Sequence, residues 1–192
     1  GIYKGKFNVS SLYRKGLKPM FHALRKKCQL YLLSGDVDAD RKRLESIFGQ
    51  RKGLFFNQTP ANKKEFIENL SESSPTMMVG DGFNDSGAMK VADVGVAVAD
   101  DIHRFSPSSD IIIQGNRLTL LPEILTYSKR SLGIVKLNFA VALLYNMVGL
   151  MLAVSGILTP LYAAVLMPLS SISVVIIAFL FTFIFRPKPM IK

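Results

Sequence analysis

Two long apolar runs near the end of the chain restrict its possible folds more than any other feature. They read LNFAVALLYNMVGLMLAVSGIL and LYAAVLMPLSSISVVIIAFLFTFIF, with Thr159 and Pro160 between them. Each run is long enough for a membrane-spanning helix, which needs about 20 residues. Because Thr159 and Pro160 favour a tight turn, we expect the two runs to form a helical hairpin. Their length and apolarity disfavour the alternative, two buried helices of a soluble protein.

Basic residues flank the predicted hairpin on both sides. Lys129, Arg130 and Lys136 precede it, and a basic tail at 186–192 follows it. Positive charge beside membrane spans marks the cytoplasmic side, so the hairpin is expected to enter and leave the membrane there. The formal net charge of +10 would also suit nucleic acid, but aromatic-rich nucleic-acid-binding signatures are absent. We therefore expect membrane lipid and no nucleic acid as a partner.

The residues before the hairpin alternate between short apolar strands and amphipathic helices. The predicted strands are QLYLL, GLFF, TMMV, VGVAV and DIII, and the predicted helices are KGLKPMFHALRKK, ADRKRLESIFG, TPANKKEFIENL and NDSGAMKVA. This alternation predicts an α/β fold with a doubly wound, mostly parallel sheet. We predict this domain over 1–130, transmembrane helices over 131–157 and 161–185, and a cytoplasmic tail over 186–192.

The stretch MVGDGFNDSGAM places two aspartates directly after a predicted strand. Asp81 and Asp85 could share a Mg²⁺ ion, which prefers oxygen ligands and retains several waters. Gly80 and Gly82 allow a sharp turn, and Asn84 could cap the following helix, whose amino end favours anions. The simpler alternative is a capped turn with its charges in solvent. The complete string GDGFND is more specific than an isolated GDG.

A second polar loop follows the predicted strand QLYLL. Its Ser34, Gly35 and Asp36 offer a hydroxyl and backbone amides that can hold phosphoryl oxygens. Lys63, on a predicted helix, could neutralise a phosphoryl group. Taken singly, the loop is a turn with a helix cap and Lys63 is solvated surface. Because ligands bind beyond the carboxyl ends of strands in such sheets, the two loops are expected to face one site.

Three segments, LLSGD, TPANKKEF and MMVGDGFNDSGAMKVADVGVAVAD, together resemble the phosphorylation domain of P-type ATPases, a branch of the haloacid-dehalogenase-like fold. The resemblance implies that Ser34 contacts the phosphoryl group and that Lys63 stabilises phosphoaspartate chemistry. It also implies that Asp81 coordinates magnesium, with Asn84 and Asp85 supporting the site. Mg²⁺ and ATP are the cofactors implied.

The two predicted spans resemble the heavy-metal (type IB) group of this family, and its copper exporters in particular. Their motifs match Tyr145 and Asn146 in the first span and Met167, Ser170 and Ser171 in the second. Thioether sulfur is a soft ligand suited to monovalent copper, and the three residues of the second span share one helix face. The alternative is helix packing, in which small serines allow close approach. The paired motifs favour contact with a transported Cu(I) ion.

Several motifs of the family do not occur in this sequence. Asp-Lys-Thr-Gly, Thr-Gly-Glu and Cys-Pro-Cys are absent, so the phosphorylated aspartate, the actuator and one ion-binding span lie outside it. This chain alone is therefore not expected to transport ions, and the remaining domains of the same transporter are expected partners. Ser86 and Gly87 also stand where the family usually has proline and alanine.

The sequence thus predicts the carboxyl-terminal portion of an ATP-driven heavy-metal cation transporter, with Cu(I) as the first choice of ion. It is expected in the bacterial cytoplasmic membrane as a multi-pass protein, with its globular domain and carboxyl terminus in the cytoplasm. One alternative is a membrane-anchored phosphatase of the same superfamily, since DVDAD contains an Asp-x-Asp string. That string follows the strand that leads into SGD, however, and not the first strand of the phosphatase fold. Another is a non-catalytic membrane subunit or remnant.

Overall fold

The computed structural model describes residues 12–81, 83–100 and 109–185. The chain divides into two compact units, Gly1–Pro122 and Glu123–Lys192. The first contains α1 (Leu17–Arg25), β1 (Leu32–Leu33), α2 (Arg41–Phe48), β2 (Leu54–Phe55), α3 (Pro60–Ser71), β3 (Met77–Gly80), α4 (Ser86–Val91), β4 (Val94–Ala99) and β5 (Ile111–Gln114). Two long helices follow, α5 (Leu121–Val154) and α6 (Pro160–Ile184). The predictions for Gly82 and for the tail at 186–192 lie outside the described residues.

The strands of the first unit pair in parallel, which confirms the α/β prediction. β1 pairs with β2, and β3, β4 and β5 form a second sheet in that order. Parallel neighbours need a crossover connection, and α2 and α4 provide two of them. Within the described ranges the strands form two sheets rather than the single predicted one. β1 pairs only with β2, and β3 pairs only with β4.

Helix α3 begins at a threonine–proline pair that fixes its first turn. The Thr59 hydroxyl accepts a hydrogen bond from the backbone N–H of Asn62 at 3.1 Å, and Pro60 occupies the first helical turn, where no donor is lost. Helix α2 ends at Gly49 with φ of 74°, the left-handed conformation that glycine adopts readily at the end of a helix. These local signals set where the helices start and stop.

Helix α3 packs against residues of both sheets. Its Ile67 joins a buried cluster with Met78 of β3 and Met89 of α4. Its Phe66 ring lies 5.1 Å from the ring of Phe55 in β2 and 5.3 Å from that of Tyr31. Full burial of a large apolar side chain contributes about 1.5–3 kcal/mol, so this packing holds the start of α3 near the carboxyl end of β3.

Helices α5 and α6 form an antiparallel hairpin. The ring of Tyr127, in the early part of α5, stacks on that of Phe181, near the end of α6, with centroids 6.0 Å apart. Both helices are long and apolar enough to cross a membrane by length and composition. Their less exposed positions recur at helical spacing: Asn138, Val141, Ala142, Tyr145, Gly149 and Leu152 in α5, and Ala163, Leu166, Ser170, Val174, Ile177 and Phe181 in α6. These positions define the inward face of the hairpin.

Candidate functional site

An ion pair between Lys63 and Asp85 forms the centre of the candidate site. The Lys63 Nζ donates to Asp85 Oδ1 at 2.8 Å, and each side chain is only 12% exposed. Lys63 lies in the first turns of α3, and Asp85 lies between β3 and α4. A charged side chain with so little exposure to solvent is costly unless it pairs with an opposite charge. The structure therefore joins two residues whose predicted roles are separate, phosphoryl neutralisation and magnesium support.

Gly80, the last residue of β3, leaves the space that Asp85 occupies. A Cβ atom built on Gly80 would overlap the Asp85 carboxylate. At Gly87, in contrast, the nearest atom to such a Cβ is Lys64 Cδ at 3.9 Å, an ordinary contact. Gly80 is therefore required here for the close approach of the carboxylate to the backbone.

The loop after β3 exposes Asp81 and Asn84 and half-buries Asp85. Asp81 Oδ1 accepts the backbone N–H of Phe83 at 3.1 Å, which closes a local turn. The prediction that Asn84 caps the next helix is wrong, because the capping position before α4 is held by Asp85. The Asp85 side chain bonds to Lys63 instead of to the helix amides, so α4 begins without a side-chain cap. A role for Asn84 in the site remains a prediction.

The Ser34–Asp36 loop is held by its own backbone and by the segment after β2. Ser34 Oγ accepts the backbone N–H of Asp36 at 3.1 Å, and the carbonyl of Ser34 accepts that of Gln58 at 2.9 Å. A Cβ atom on Gly35 would meet the Gln58 carbonyl oxygen at 3.3 Å. In the described part of the chain, no hydrogen bond or ion pair joins this loop to Asp81 or Asp85. The structure thus bonds Lys63 to Asp85, and that the serine loop faces the same site stays a prediction.

The donors beyond β3 fit a magnesium ion. Over residues 12–81, 83–100 and 109–185, no group of three His, Cys, Asp or Glu side chains is arranged to hold a metal. Mg²⁺ does not need such a cage, since it is commonly bound by one or two carboxylates together with waters and phosphate oxygens. Asp81 and Asp85 offer two carboxylates at one loop, with one oxygen of Asp85 taken by Lys63.

A second carboxylate network near β3 was missed by the sequence reasoning. Asp93 Oδ2 accepts the backbone N–H of Thr76 at 2.7 Å and its hydroxyl at 3.1 Å. The hydrogen bond from the Thr76 backbone, followed by that from its hydroxyl, lowers the pKa of Asp93 below its usual range. The pair ties the starts of β3 and β4 together. The available sequence signal for this pair was a threonine and an aspartate, each directly before an apolar strand.

The Asp-x-Asp string that suggested a phosphatase has other contacts. Asp38 pairs with Arg41 at 3.2 Å, and Asp40 accepts the hydroxyl of Tyr13 at 3.1 Å. Both aspartates lie in a short 3₁₀ turn, Asp38–Asp40, in the connection between β1 and α2. Both carboxylates are thus already bonded to other side chains of this unit.

The five polar or soft residues predicted to contact the transported ion lie on two adjoining sides of the hairpin. Tyr145 and Ser170 are on the inward face, whereas Asn146, Met167 and Ser171 are exposed, Met167 to 74%. Successive residues of a helix are about 100° apart. Because the helices are antiparallel, the turns from Tyr145 to Asn146 and from Ser170 to Ser171 point to the same flank. All five therefore lie on the inward face or on the one flank beside it.

Known proteins resemble this chain in both sequence and structure. Residues 3–93 match the family model described as haloacid dehalogenase-like hydrolase. The chain is 35% identical over 146 residues, 75% of its length, to "Copper-transporting ATPase PAA1, chloroplastic" of Arabidopsis thaliana. It is 29% identical over 177 residues, 91% of its length, to "Copper-exporting P-type ATPase" of Staphylococcus haemolyticus. The chain spans only 15% and 22% of these two relatives.

A solved structure supports the fold across both units. The crystal structure of a zinc-transporting PIB-type ATPase in the E2.Pi state matches 88% of this chain with a TM-score of 0.76 at 19% identity. This chain covers 28% of that protein. At that level of identity the likeness concerns the arrangement of helices and strands.

Proposed function

Because the chain is a member of the heavy-metal (type IB) P-type ATPases, we propose that it forms the carboxyl-terminal part of an ATP-driven transporter of monovalent copper. The family generally uses Mg²⁺ and a nucleotide. The observation that carries the proposal is the half-buried Lys63–Asp85 pair beside Asp81 at the carboxyl end of β3. A phosphorylation site needs fixed positive charge and oxygen ligands together, and this corner supplies both.

In the proposed reaction, Lys63 holds Asp85 in place and keeps one ammonium charge close to the incoming phosphoryl group. Asp81 and Asp85 would hold Mg²⁺, which neutralises the charge that develops during phosphoryl transfer. Ser34 would turn its hydroxyl from Asp36 toward a phosphoryl oxygen. Its contact with the Asp36 carboxylate is long, 3.4 Å, so little hydrogen-bond energy opposes that rotation.

The acceptor aspartate would come from a strand outside this sequence. β1 and β3 each have one edge without a paired strand among the described residues, and helix α3 packs against both sheets. A strand added between these edges would satisfy unpaired backbone groups on both sides. An aspartate at its carboxyl end would then lie between the Ser34 loop and the Lys63–Asp85 pair.

The transported ion would bind at the patch bordered by Tyr145, Asn146, Met167, Ser170 and Ser171. Polar residues at membrane depth usually line a bundle interior or an ion path. The Met167 thioether is the softest donor of the set and suits Cu(I) better than a hard cation. Both ends of the hairpin would lie on the cytoplasmic side, since Lys129 and Arg130 precede it. We place the transporter in the bacterial cytoplasmic membrane.

The proposal is tested by phosphorylating the intact transporter with ATP and Mg²⁺. Acid-stable phosphoenzyme should form when Cu⁺ is supplied with a reductant, and Asp81→Asn should reduce it to background. Glu68→Gln is the matched control, because Glu68 is an exposed carboxylate that pairs with Lys64 on the surface of α3. Normal phosphorylation of Asp81→Asn would remove its assigned role. Activation by Zn²⁺ and not by Cu⁺ would contradict the choice of copper.

A further inference from the structure

Helix α1 carries a row of basic residues that none of the roles above uses. Lys18, His22 and Lys26 follow one another at four-residue spacing, so they lie on one face of the helix, and all three are exposed. Lys15, just before the helix, is exposed as well. These four residues are named the basic stripe of α1. No hydrogen bond or ion pair joins its lysines to another described residue.

Other basic residues of this region have partners within the first unit. Arg14 pairs with Asp100 at 2.7 Å. Arg25 donates to the backbone carbonyl of Gly49 at 3.1 Å. Residues 1–35 contain eight lysines and arginines and no aspartate or glutamate, so no acidic residue near in sequence offsets the stripe. Its positive charge is therefore left uncompensated by the described part of the chain.

The end of α1 lies beside the start of the first long apolar helix. Lys27 Nζ donates to the carbonyl of Pro122 at 2.6 Å, in the first turn of α5. From Pro122 to position 131, where the predicted span begins, is nine residues, or about 14 Å of helix. A headgroup layer of about 5–8 Å takes up part of this distance. What remains is about one Debye length at physiological salt, about 8 Å, over which an anionic leaflet still attracts cations.

We propose that the basic stripe of α1 binds anionic phospholipid headgroups of the membrane that α5 and α6 span. This inference rests on the membrane placement in the proposed function. Met20 and Leu24, on the other side of α1, are buried, so the helix has no free apolar face to insert into lipid. The contact is therefore electrostatic and sensitive to salt. The closeness of Lys27 to α5 favours the membrane over a soluble acidic protein.

The experiment measures how fast the stripe lysines are acetylated in the intact transporter, held in lipid nanodiscs and digested for mass spectrometry. A neutral reagent avoids repulsion by anionic lipid. In an equal mixture of phosphatidylcholine and phosphatidylglycerol, Lys18 and Lys26 should react about fivefold more slowly than in phosphatidylcholine alone. Salt at about 0.5 M should remove the difference, because it shortens the Debye length. Lys90, an exposed lysine of α4, is the internal reference and should react equally in both lipids.

Neutralised lysines test whether the stripe acts as a unit. Lys18→Gln combined with Lys26→Gln should largely remove the protection of Lys15 by phosphatidylglycerol, because the attraction grows with the number of cations near the surface. The matched control combines Lys42→Gln with Lys90→Gln. It removes the same charge from exposed positions of α2 and α4 and should leave Lys15 protected.

Equal acetylation of Lys18 and Lys26 in the two lipid compositions would overturn the inference and make the stripe a solvated surface. Slower acetylation than that of Lys90 in both compositions would overturn it as well, since an acidic protein segment would then cover the stripe. Failure of the proposed function has different signatures. A protein that does not span the membrane would not enter the nanodiscs. One that does not transport copper would form no Cu⁺-dependent phosphoenzyme, while Lys18 would still be protected.

Discussion

The polar residues of the first unit and those of the hairpin differ in how far this chain completes their contacts. Lys63 and Asp85 are each 12% exposed and bonded to one another, whereas Met167 is 74% exposed. Asn138 buries an amide oxygen that no described residue bonds. Two neighbouring βα elements suffice to neutralise a charge pair. The proposed ion site would need ligands from several helices, and two helices would leave part of it open.

Among the tests of this comparison between the two regions, removal of the Lys63 ammonium should have the largest effect on stability and activity. Lys63→Met leaves the Asp85 carboxylate half-buried and unpaired, which should cost about 3 kcal/mol of stability in the first unit. It should also abolish phosphoenzyme formation in the intact transporter. Thermal unfolding of the purified protein in detergent, followed by hydrogen exchange in β3 and α3, measures the first effect.

The neighbouring lysine provides the control for that substitution. Lys64 pairs with Glu68 at 3.3 Å, and both side chains are about half exposed. Lys64→Met should therefore change stability by no more than about 0.5 kcal/mol, as is usual for surface helix pairs. Equal losses of stability for Lys63→Met and Lys64→Met would show that the Lys63–Asp85 pair contributes no more than a surface pair. The comparison with the hairpin would then fail.

A methyl group on Gly80 tests whether the Lys63–Asp85 pair depends on the close approach of Asp85 to the backbone of Gly80. Gly80→Ala should push the Asp85 carboxylate away from the backbone and from Lys63, at a cost of about 1–3 kcal/mol. It should also raise the Mg²⁺ concentration needed for phosphorylation. Gly87→Ala is the matched control, because the nearest described atom to its new methyl group would be Lys64 Cδ at 3.9 Å and α4 would gain helix propensity. A stability loss in Gly87→Ala as large as that in Gly80→Ala would contradict the role of close approach.

The sequence predicts most of the first unit because its signals are local. Thr59 and Pro60 start α3, Gly49 ends α2, and the order of strands and helices gives parallel pairing. The Lys63–Asp85 bond was not predicted, since it depends on how α3 packs against β3 over a separation of 22 residues. Asn84 was assigned to the wrong position for a similar reason. Asp85, one residue later, holds the cap position and bonds to a tertiary partner instead.

In the hairpin, the length and apolarity of the two runs predict two helices but not which polar groups have hydrogen-bond partners. Tyr145, Ser170 and Met167 are readable as a motif, and their division between an inward face and a flank follows only from the antiparallel packing. Asn138 carries no local signal of its own, because an asparagine in a helix can bond to neighbouring turns or remain unpartnered. Burial of its oxygen distinguishes these cases.

Acid should destabilise the first unit more than the hairpin. The pKa of Asp93 is lowered by the Thr76 N–H and hydroxyl, so the folded state binds its proton less readily than the unfolded chain. Its stabilising contribution is complete above the unfolded pKa, about 3.9, and is lost as pH falls through the lower folded value. Asp100, whose pKa is lowered by Arg14, acts in the same direction. Residues 124–185 contain no Asp or Glu.

Hydrogen exchange between about pH 7 and pH 2, corrected for intrinsic rates, measures this difference. Protection should fall first in β3 and β4 and persist in α5 and α6. Thr76→Val removes the hydroxyl donor and keeps the backbone donor, so the acid transition of the first unit should move to higher pH. Asp93→Asn, which cannot titrate, should flatten the dependence. A hairpin that loses protection together with β3 would mean that the two regions do not differ in acid sensitivity.

The smallest expected change in stability comes from removing a threonine cap, which occurs once in each region. Thr59 and Thr159 each precede a proline and accept a backbone N–H three residues later, at 3.1 and 3.4 Å. Thr59→Ala should cost about 1 kcal/mol, and Thr159→Ala should be at the low end of cap substitutions, about 0.5 kcal/mol. The Thr159 bond is longer, and a helix in lipid keeps its backbone hydrogen bonds because the surroundings offer no others. Amide exchange in the first turns of α3 and α6, measured in lipid nanodiscs, compares the two directly. If both turns lose equal protection, the cap acts alike in water and at the membrane, and the two regions differ only in how their tertiary contacts are completed.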